Sequence, residues 1–427
     1  MAENPTMAQP SNTTMTRKEI REATAKAINA LSRKELLEQF GISRVAELTG
    51  LDSAWLPVYT CVRALSETVS IHSGKGLERE FSRAGAILEA IEFEVAEHPK
   101  GDWHIVRAID LPPESRVPLD ECFPTRSSVV NDLTPLAWEQ VVNIQDGTKK
   151  LIPSDLVWLV TRIKDQNLMH VQMGSNGVAS GGSIEDAILS GLYEIIERDA
   201  WTLNQYLLDG GFLLNRCPLI ALPPRLEACI RKIDGANLKL HLFDITNDYK
   251  IPVFSAIILD LSGACAGTFG GYGCHLNAEI AALRAITEAA QARCCYISGA
   301  RDDLFRRQFL LMKRMDQHKL HGMFEQLPMA RPISEYRVLD FPDVRSELRY
   351  LLKLIRQFGV SDVYVKEMGS YVDGKVHVVR VISPQCEPFR FDHWTPGLRC
   401  LSYAQRKIDR LIEATQEEEK GEEWKTM

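Results

Sequence analysis

Apolar residues recur at helical spacing in three segments of the chain, and a run of small residues precedes each of them. The first segment covers 77–97, the second begins at Ile184, and the third covers 278–293. Ser183 is a favourable N-cap residue, and Asp186 three positions later completes a start that resembles a capping box. The same spacing predicts a further helix over 18–36. The pattern therefore predicts amphipathic helices that share an apolar core.

Apolar runs of a length and composition typical of β-strands lie between the helical segments. They cover 42–51, 57–65, 238–246, 253–261, 362–368 and 376–382. Strands and helices alternate along the chain without a strict short-period repeat. We expect residues 1–16 to be disordered, 17–410 to form one domain, and 411–427 to be a charged, solvated tail.

Composition limits the classes of protein that the chain can represent. The net charge of −7 argues against a general nucleic-acid-binding protein, although a local pocket can still hold a small anion. No apolar run reaches the length of a membrane-spanning helix, and the N-terminus lacks the apolar core of a signal peptide. We therefore expect a cytoplasmic protein with neither nucleic acid nor membrane as a partner. Ten scattered cysteines without a C-x-x-C pair predict reduced structural thiols rather than zinc ligands or disulfides.

The helical segments carry charged residues that share a face. Glu89 and Glu92 lie three positions apart, as do Glu194 and Glu197, and the third segment places an arginine and a glutamate four positions apart. Such spacing usually belongs to a solvated surface with weak ion pairs. Here Glu89 and Glu194 lie among apolar neighbours, where burial penalises the ionised carboxylate. A group of buried carboxylates repels itself unless cations hold it together.

A divalent cation with oxygen ligands would relieve this repulsion, and Mg²⁺ typically binds a few carboxylates together with substrate phosphates. Small residues precede these helices, and we interpret them as Gly-rich loops that contain Gly74, Gly271 and Gly273. Such loops offer backbone N–H groups to an anion. The pattern thus predicts a nucleotide site with Mg²⁺, although neither a Walker A loop nor a protein-kinase signature is present. A di-iron helical bundle is the competing interpretation, and the Glu-x-x-His pairs it requires are missing.

Three stretches together resemble the ATP-binding segments of the YcaO family in their family order. They are "SGKG…LEAIE", "SNGVASGGSIEDAILSGLYEIIERDA" and "GCHLNAEIAALRAITEAAQAR". The resemblance covers about 42–305. It implies a YcaO-type α/β fold with mixed sheets, in which helices form a non-Walker site for the cofactors ATP and Mg²⁺. In this family a nucleophile adds to a backbone amide of a peptide, the amide oxygen is phosphorylated, and phosphate leaves. A neighbouring Cys, Ser or Thr gives an azoline, and external sulfide gives a thioamide.

The resemblance also implies roles for individual residues. Those expected to contact the nucleotide are Ser73, Lys75, Asn176, Arg198, Arg284 and Glu288. Those expected to hold the metal are Glu89, Glu92, Asp186, Glu194, Glu197 and Glu288. Arg198 and Arg284 are expected to be catalytic. His275 is a candidate proton carrier, or else a histidine that packs a loop.

The chain departs from the family pattern at one point. The family typically has G-N-T-x-x-E-A where this chain has "GGSIEDA", so Gly182 replaces an asparagine and Asp186 replaces a glutamate. The replacement removes an amide that would contact the nucleotide and shortens an acid that would reach Mg²⁺. It leaves open an altered nucleotide affinity or a non-catalytic ATP-binding scaffold subunit.

The branch of the family is suggested by weaker features. The chain lacks the proline-rich end of many azoline-forming members, and "GISRVAELTGLD" and "ISGARDD" resemble members that work with a TfuA-type partner. We therefore expect thioamide formation on a ribosomally made precursor peptide, with azoline formation as the alternative. Because no module for peptide recognition is evident, a separate recognition protein or a TfuA-like partner is expected.

Overall fold

The structure, a computed structural model, describes residues 15–100, 105–122, 130–160, 174–263, 265, 267–301, 316–389 and 396–423. The predicted disorder of 1–16 falls, apart from its last two residues, outside these ranges. Within the described ranges, no helix is both long enough and apolar enough to cross a membrane. All ten cysteines are free thiols, and most are buried.

Most α-helices of the described ranges begin where a side chain accepts hydrogen bonds from the first turn. They are α1 (Arg17–Ala30), α2 (Arg33–Phe40), α3 (Arg79–Glu97), α4 (Leu119–Cys122), α5 (Ile184–Asp209), α6 (Pro224–Gly235), α7 (Ala278–Ser298), α8 (Gln317–Glu325), α9 (Val344–Arg356) and α10 (Leu398–Glu423). Ser183 accepts a hydrogen bond from the backbone N–H of Asp186 and caps α5, as predicted. The single helix predicted over 18–36 is wrong, because Ser32 caps a second helix there. The predicted tail from 411 continues α10 as far as Glu423.

The strands of the described ranges are β1 (Arg44–Glu47), β2 (Val58–Val62), β3 (Ile71–Lys75), β4 (Ile105–Arg107), β5 (Pro135–Asn143), β6 (Lys149–Pro153), β7 (Val178–Gly181), β8 (Asn215–Arg216), β9 (Lys239–Asp244), β10 (Val253–Leu259), β11 (Thr268–Cys274), β12 (Tyr364–Tyr371) and β13 (Val376–Ile382). These strands form three antiparallel sheets. The first sheet has the order β1-β2-β3, and the second has the order β11-β10-β9-β8. The third has the order β4-β5-β12-β13-β7, with β6 paired to β5.

The glycines that were predicted to form phosphate-binding loops lie on strands instead, so this prediction is wrong for β3 and β11. A Cβ atom on Gly74 would stand 1.9 Å from the carbonyl oxygen of Ser82 in α3. A Cβ atom on Gly273 would stand 2.1 Å from the carbonyl oxygen of Ala281 in α7. Glycine is required at these positions because the helix backbone contacts the strand directly.

Three strand–helix units follow from this packing: β3 with α3, β7 with α5, and β11 with α7. The core-facing sides of the helices are fully buried; Ile87 and Ile91 of α3 and Leu189 and Leu192 of α5 have 0% exposure. The buried face of α7 is mostly alanine, which allows its close approach to β11. Each large apolar side chain buried in this way stabilises the fold by about 1.5–3 kcal/mol. The same helices carry the acidic residues: α3 and α5 each carry a pair, and α7 carries Glu288.

The C-terminal helix α10 is anchored to α5 by a buried ion pair. Asp199, with 0% exposure, accepts hydrogen bonds from Arg399 Nε at 2.6 Å and Nη2 at 2.7 Å. It also accepts the backbone N–H of Glu387 at 2.8 Å and the side chain of Asn247 at 2.7 Å. A fully hydrogen-bonded carboxylate tolerates burial, and these bonds fix the segment before α10 against the helix that carries Glu194.

Candidate active site

The three strand–helix units bring the predicted acidic residues into one cluster. Their carboxylates interact electrostatically across the units: Glu92 with Glu89 and Glu194, and Glu288 with Glu89 and Glu197. We call these five residues, Glu89, Glu92, Glu194, Glu197 and Glu288, the carboxylate cluster. The grouping joins α3, α5 and α7, which are far apart in sequence.

Contacts between the units fix the cluster. The Ser180 backbone N–H and hydroxyl of β7 donate to Glu92 of α3 at 2.8 and 2.6 Å. The Cys274 backbone N–H of β11 donates to Glu197 of α5 at 3.1 Å. Lys75 of β3 donates to Glu288 of α7. Each unit therefore holds an acid of another unit, and the three contacts close a ring.

Ser73 lies inside this arrangement, and it acts through its backbone. Its N–H donates to Glu89 at 2.9 Å, while its hydroxyl lies 3.4 Å from the sulfur of Cys295. The predicted contact between Ser73 and a nucleotide is not tested by these bonds. The structure assigns Ser73 the role of orienting Glu89.

Arginine and lysine side chains surround the cluster. Arg198 lies 3.7 Å from Glu197 and 4.0 Å from Glu194, and Lys75 pairs with Glu288. Arg284 faces the carboxylates of Glu194, Glu197 and Glu288, yet its buried Nε has no hydrogen-bond partner among the described residues. An unpaired buried guanidinium N–H costs free energy that an anionic ligand would recover.

Burial and mutual repulsion perturb the acids unequally. Burial raises the pKa of Glu92 to about 8, with further increases from Glu89 and Glu194, although hydrogen bonds from Ser180 oppose the shift. Burial also raises the pKa of Glu194 to about 7, while Arg198 acts in the opposite direction. Glu288 differs: burial opposes its ionisation, but Lys75 and Arg198 outweigh burial and lower its pKa. Perturbed acids of this kind are typical of functional sites.

A cavity of about 440 Å³ adjoins one side of the cluster. Asn176, Glu194, Arg198 and Arg380 line it together with Phe389. The buried Oδ1 of Asn176 and Nε of Arg380 lack hydrogen-bond partners within the described ranges. A polar ligand in the cavity would satisfy both atoms.

The residues present fit a divalent cation with a polyphosphate. Hard cations take carboxylate oxygens, and the cluster offers several that no protein cation fully neutralises. Arg284 and Lys75 both lie near enough to Glu288 for their charges to interact with it, and guanidinium and ammonium groups are common partners of phosphate oxygens. Among the predicted residues, the structure therefore brings together Lys75, Arg198 and Arg284 with the five glutamates.

Asp186 is the predicted metal ligand that lies outside this group. Its Oδ1 accepts a hydrogen bond from Arg17 of α1 at 2.9 Å, and its Oδ2 accepts the Gly182 N–H at 3.2 Å. A Cβ atom on Gly182 would stand 2.2 Å from Oγ1 of Thr24, so α1 fills the space of a side chain there. Gly182, where the chain departs from the family pattern, thus leaves room for α1. Metal binding by Asp186 stays a prediction.

Sequence reasoning missed Arg380 of β13. This residue is buried, donates to the carbonyl of Gly174 at 2.8 Å, and lies near enough to Glu194 for the two charges to interact. Burial lowers the pKa of Arg380 to about 10. The sequence feature that could have identified Arg380 is its position as a single charged residue inside the apolar run "VHVVRVI".

His275, the candidate proton carrier, packs away from the carboxylates. Its ring stacks on Tyr193 at 4.7 Å, and its Nε2 lies 3.5 Å from Glu347. Burial lowers the pKa of His275 well below its ordinary value. These contacts favour the alternative of a histidine that packs the loop.

Comparison with known proteins establishes the family. The family described as YcaO cyclodehydratase, ATP- and Mg²⁺-binding, matches residues 73–387. The chain therefore belongs to the YcaO family, which confirms the resemblance seen in the sequence. Its domain is of a type that binds ATP and Mg²⁺.

Two relatives cover much of the chain. An uncharacterized protein of Methanothermobacter thermautotrophicus is 30% identical over 386 residues, which are 86% of this chain and 95% of that protein. An uncharacterized protein in the tfuA 3′ region of Rhizobium leguminosarum bv. trifolii is 33% identical over 293 residues, 66% of this chain and 68% of that protein.

Solved structures share the fold. The YcaO protein of Methanopyrus kandleri, bound with AMPPCP and Mg²⁺, gives a TM-score of 0.66 at 18% identity and covers 91% of this chain and 99% of that chain. A heterocyclase in complex with substrate and cofactor gives a TM-score of 0.69 at 18% identity over 84% of this chain. This chain spans 53%, about half, of that heterocyclase. The predicted YcaO-type α/β fold is confirmed.

The raised pKa values predict how stability depends on pH without nucleotide. A carboxyl whose pKa is raised on folding stabilises the protein fully below its unfolded pKa, and this contribution is lost as pH rises through the folded value. For Glu92 this stabilising contribution is lost as the pH rises to the folded-state pKa of about 8. Between about pH 6 and 8, the unfolding free energy of the wild type should fall relative to Glu92→Gln by about 1–2 kcal/mol. Denaturant unfolding at both pH values measures this difference, and parallel pH profiles for the two proteins would contradict the burial of Glu92.

Proposed function

We propose that the protein is an ATP-dependent enzyme that modifies the backbone of a ribosomally made peptide. The observation that carries the proposal is the carboxylate cluster, with Arg198 and Arg284 beside it and a cavity at its side. Mg·ATP bound there would supply a phosphoryl group and a strong electrostatic field. The work left to the protein is to position the reactants and to neutralise charge, so it requires no nucleophilic side chain.

Each group of residues has a definite task in this reaction. The carboxylate cluster holds the metal, and Arg284 and Lys75 bind phosphate oxygens. Arg198, which lies between the cluster and the cavity, neutralises charge that develops on the transferred group. The peptide amide enters the cavity, where the N–H donors of Arg380 and the oxygen of Asn176 orient it.

The balanced reaction proceeds by addition and elimination. A nucleophile adds to the carbonyl carbon, the amide oxygen takes the γ-phosphoryl group of ATP, and the carbon–oxygen bond breaks to release phosphate. With sulfide as nucleophile, the products are a thioamide, ADP and phosphate. With a neighbouring Cys, Ser or Thr side chain, the products are an azoline, ADP and phosphate.

We favour thioamide formation and a TfuA-like partner. The similarity to a protein in a tfuA 3′ region supports this choice, at 33% identity. Azoline formation remains the second candidate, since the family description names a cyclodehydratase. A separate partner protein would deliver the precursor peptide in either case. A non-catalytic ATP-binding scaffold is the remaining alternative.

Glu194→Gln tests the ATP site. The substitution keeps the shape of the side chain and removes a charge that holds the metal, so peptide-dependent phosphate release should fall at least about a hundredfold. The folded state should remain as stable as the wild type, because removing the charge relieves repulsion from Glu197. The measurement is phosphate release at saturating Mg²⁺ with the cognate peptide and partner present.

Glu185→Gln is the matched control. Glu185 lies on the same helix but pairs with Arg345 at 2.6 Å, outside the cluster. An ion pair of this kind contributes about 1 kcal/mol or less, so this variant should keep turnover within about threefold of wild type. Wild-type turnover in Glu194→Gln would refute the assignment, and a wild-type protein that never releases phosphate with peptide would indicate the scaffold.

Mass spectrometry of the cognate peptide tests the branch. Thioamide formation exchanges oxygen for sulfur, so the peptide should gain the mass difference between these atoms, and only when a sulfide donor is supplied. Azoline formation removes one water, needs a Cys, Ser or Thr at the modified position, and requires no sulfide. Loss of water without added sulfide would reject thioamide formation and leave the ATP site unaffected.

A further inference from the structure

Two histidines and a glutamate meet beside strand β9 of the second sheet, among residues to which the proposed reaction assigns no role. His241 lies on β9, while His321 and Glu325 lie four positions apart on α8 and therefore share a helix face. One ligand atom from each of the three residues lies within 4.8 Å of the other two.

The geometry is close to that of a bound ion. His241 Nε2 lies 2.9 Å from His321 Nδ1, and His241 Nδ1 lies 3.7 Å from Oε1 of Glu325. A tetrahedral zinc ion binds nitrogen and oxygen at about 2.0–2.2 Å, which separates its ligand atoms by roughly 3.3–3.5 Å. These two contacts use different nitrogens of the His241 ring. An ion on Nδ1 would therefore require rotation of the His321 ring as well as of the exposed Glu325 side chain, whose ligand atoms already lie within 4.8 Å of one another.

The histidine on the strand has an unmet hydrogen-bonding requirement. His241 is 2% exposed, and its Nδ1 has no hydrogen-bond partner in the part of the chain that the structure describes. Phe324 packs against the His241 ring at 5.0 Å, so water has little access from that side. A buried imidazole nitrogen with a free lone pair is a favourable metal ligand.

The surroundings orient the carboxylate. Arg216 of β8 donates to Oε1 of Glu325 at 2.7 Å and to its backbone carbonyl at 3.3 Å. Carboxylates that bind metals are commonly held by such outer hydrogen bonds. Because Arg216 contacts Oε1, the ion would bind Oε2 after the exposed Glu325 side chain rotates.

We propose that His241, His321 and Glu325 bind one Zn²⁺ ion that fastens α8 to β9. Two imidazoles and one carboxylate suit Zn²⁺, whereas Mg²⁺ prefers oxygen ligands throughout. The site would therefore discriminate against the Mg²⁺ of the carboxylate cluster. Because one ligand comes from the sheet and two come from the helix, the ion would stabilise the contact between them.

Zinc titration of the full chain tests this proposal. The protein is freed of metal with a chelator and titrated with Zn²⁺ against a chromophoric competitor, with excess Mg²⁺ present to occupy the carboxylate cluster. We expect about one tightly bound Zn²⁺ per chain and a higher melting temperature when it binds. His321→Ala and Glu325→Gln should each weaken binding at least about a hundredfold, since even the loss of an outer partner costs 10–100-fold.

His318→Ala is the matched control, because His318 is an exposed histidine on the same helix. It should bind Zn²⁺ as the wild type does. Melting temperatures without zinc, equal to within a few degrees, would establish that the variants fold. The proposal is overturned if the wild type binds no stoichiometric Zn²⁺, or if the folded His321→Ala variant binds it with wild-type affinity; the pair would then be only a hydrogen bond between histidines.

Discussion

A closed ring of contacts between three strand–helix units determines the geometry of the site. In each contact, a strand of one unit holds a carboxylate on the helix of another: Ser180 with Glu92, Cys274 with Glu197, and Lys75 with Glu288. A displacement of one strand–helix unit would break contacts with both neighbouring units. The ring can close because glycines such as Gly74 and Gly273 let the helices lie directly against their strands. Backbone packing therefore fixes where the charges stand before any ligand binds.

The ring of contacts places the negative charges of the carboxylate cluster close together. The cationic side chains of the protein do not fully neutralise them. Burial and repulsion raise the pKa values of Glu92 and Glu194 to about 8 and 7. A cation with oxygen ligands would relieve this repulsion, and we propose that the unliganded cluster is already organised for it. Preorganised charge of this kind lowers the barrier to phosphoryl transfer, because little reorganisation is needed during the reaction. The same reasoning explains why the proposed chemistry requires no nucleophilic residue.

The acidic pairs could be predicted from sequence because helical spacing alone places Glu194 and Glu197 on one face, and because a carboxylate among apolar residues is unusual. The position of the glycines on strands could not be predicted from sequence. A glycine on a strand in close contact with a helix and a glycine in a loop have the same local sequence pattern. The pairing of Asp186 with Arg17 joins residues 169 positions apart, and no local spacing encodes it. Arg380 was missed for a similar reason, because its importance arises only when β13 approaches Glu194.

A crystal structure of the protein with a non-hydrolysable ATP analogue and Mn²⁺ tests the central claim most directly. Anomalous scattering locates Mn²⁺ without reference to its expected ligands. The account predicts ions bound by carboxylate oxygens of α3 and α5 at about 2.0–2.2 Å, the range for a hard divalent ion smaller than Ca²⁺, with the phosphates against Arg284. Mn²⁺ and nucleotide bound at a site that includes none of the five glutamates would contradict it.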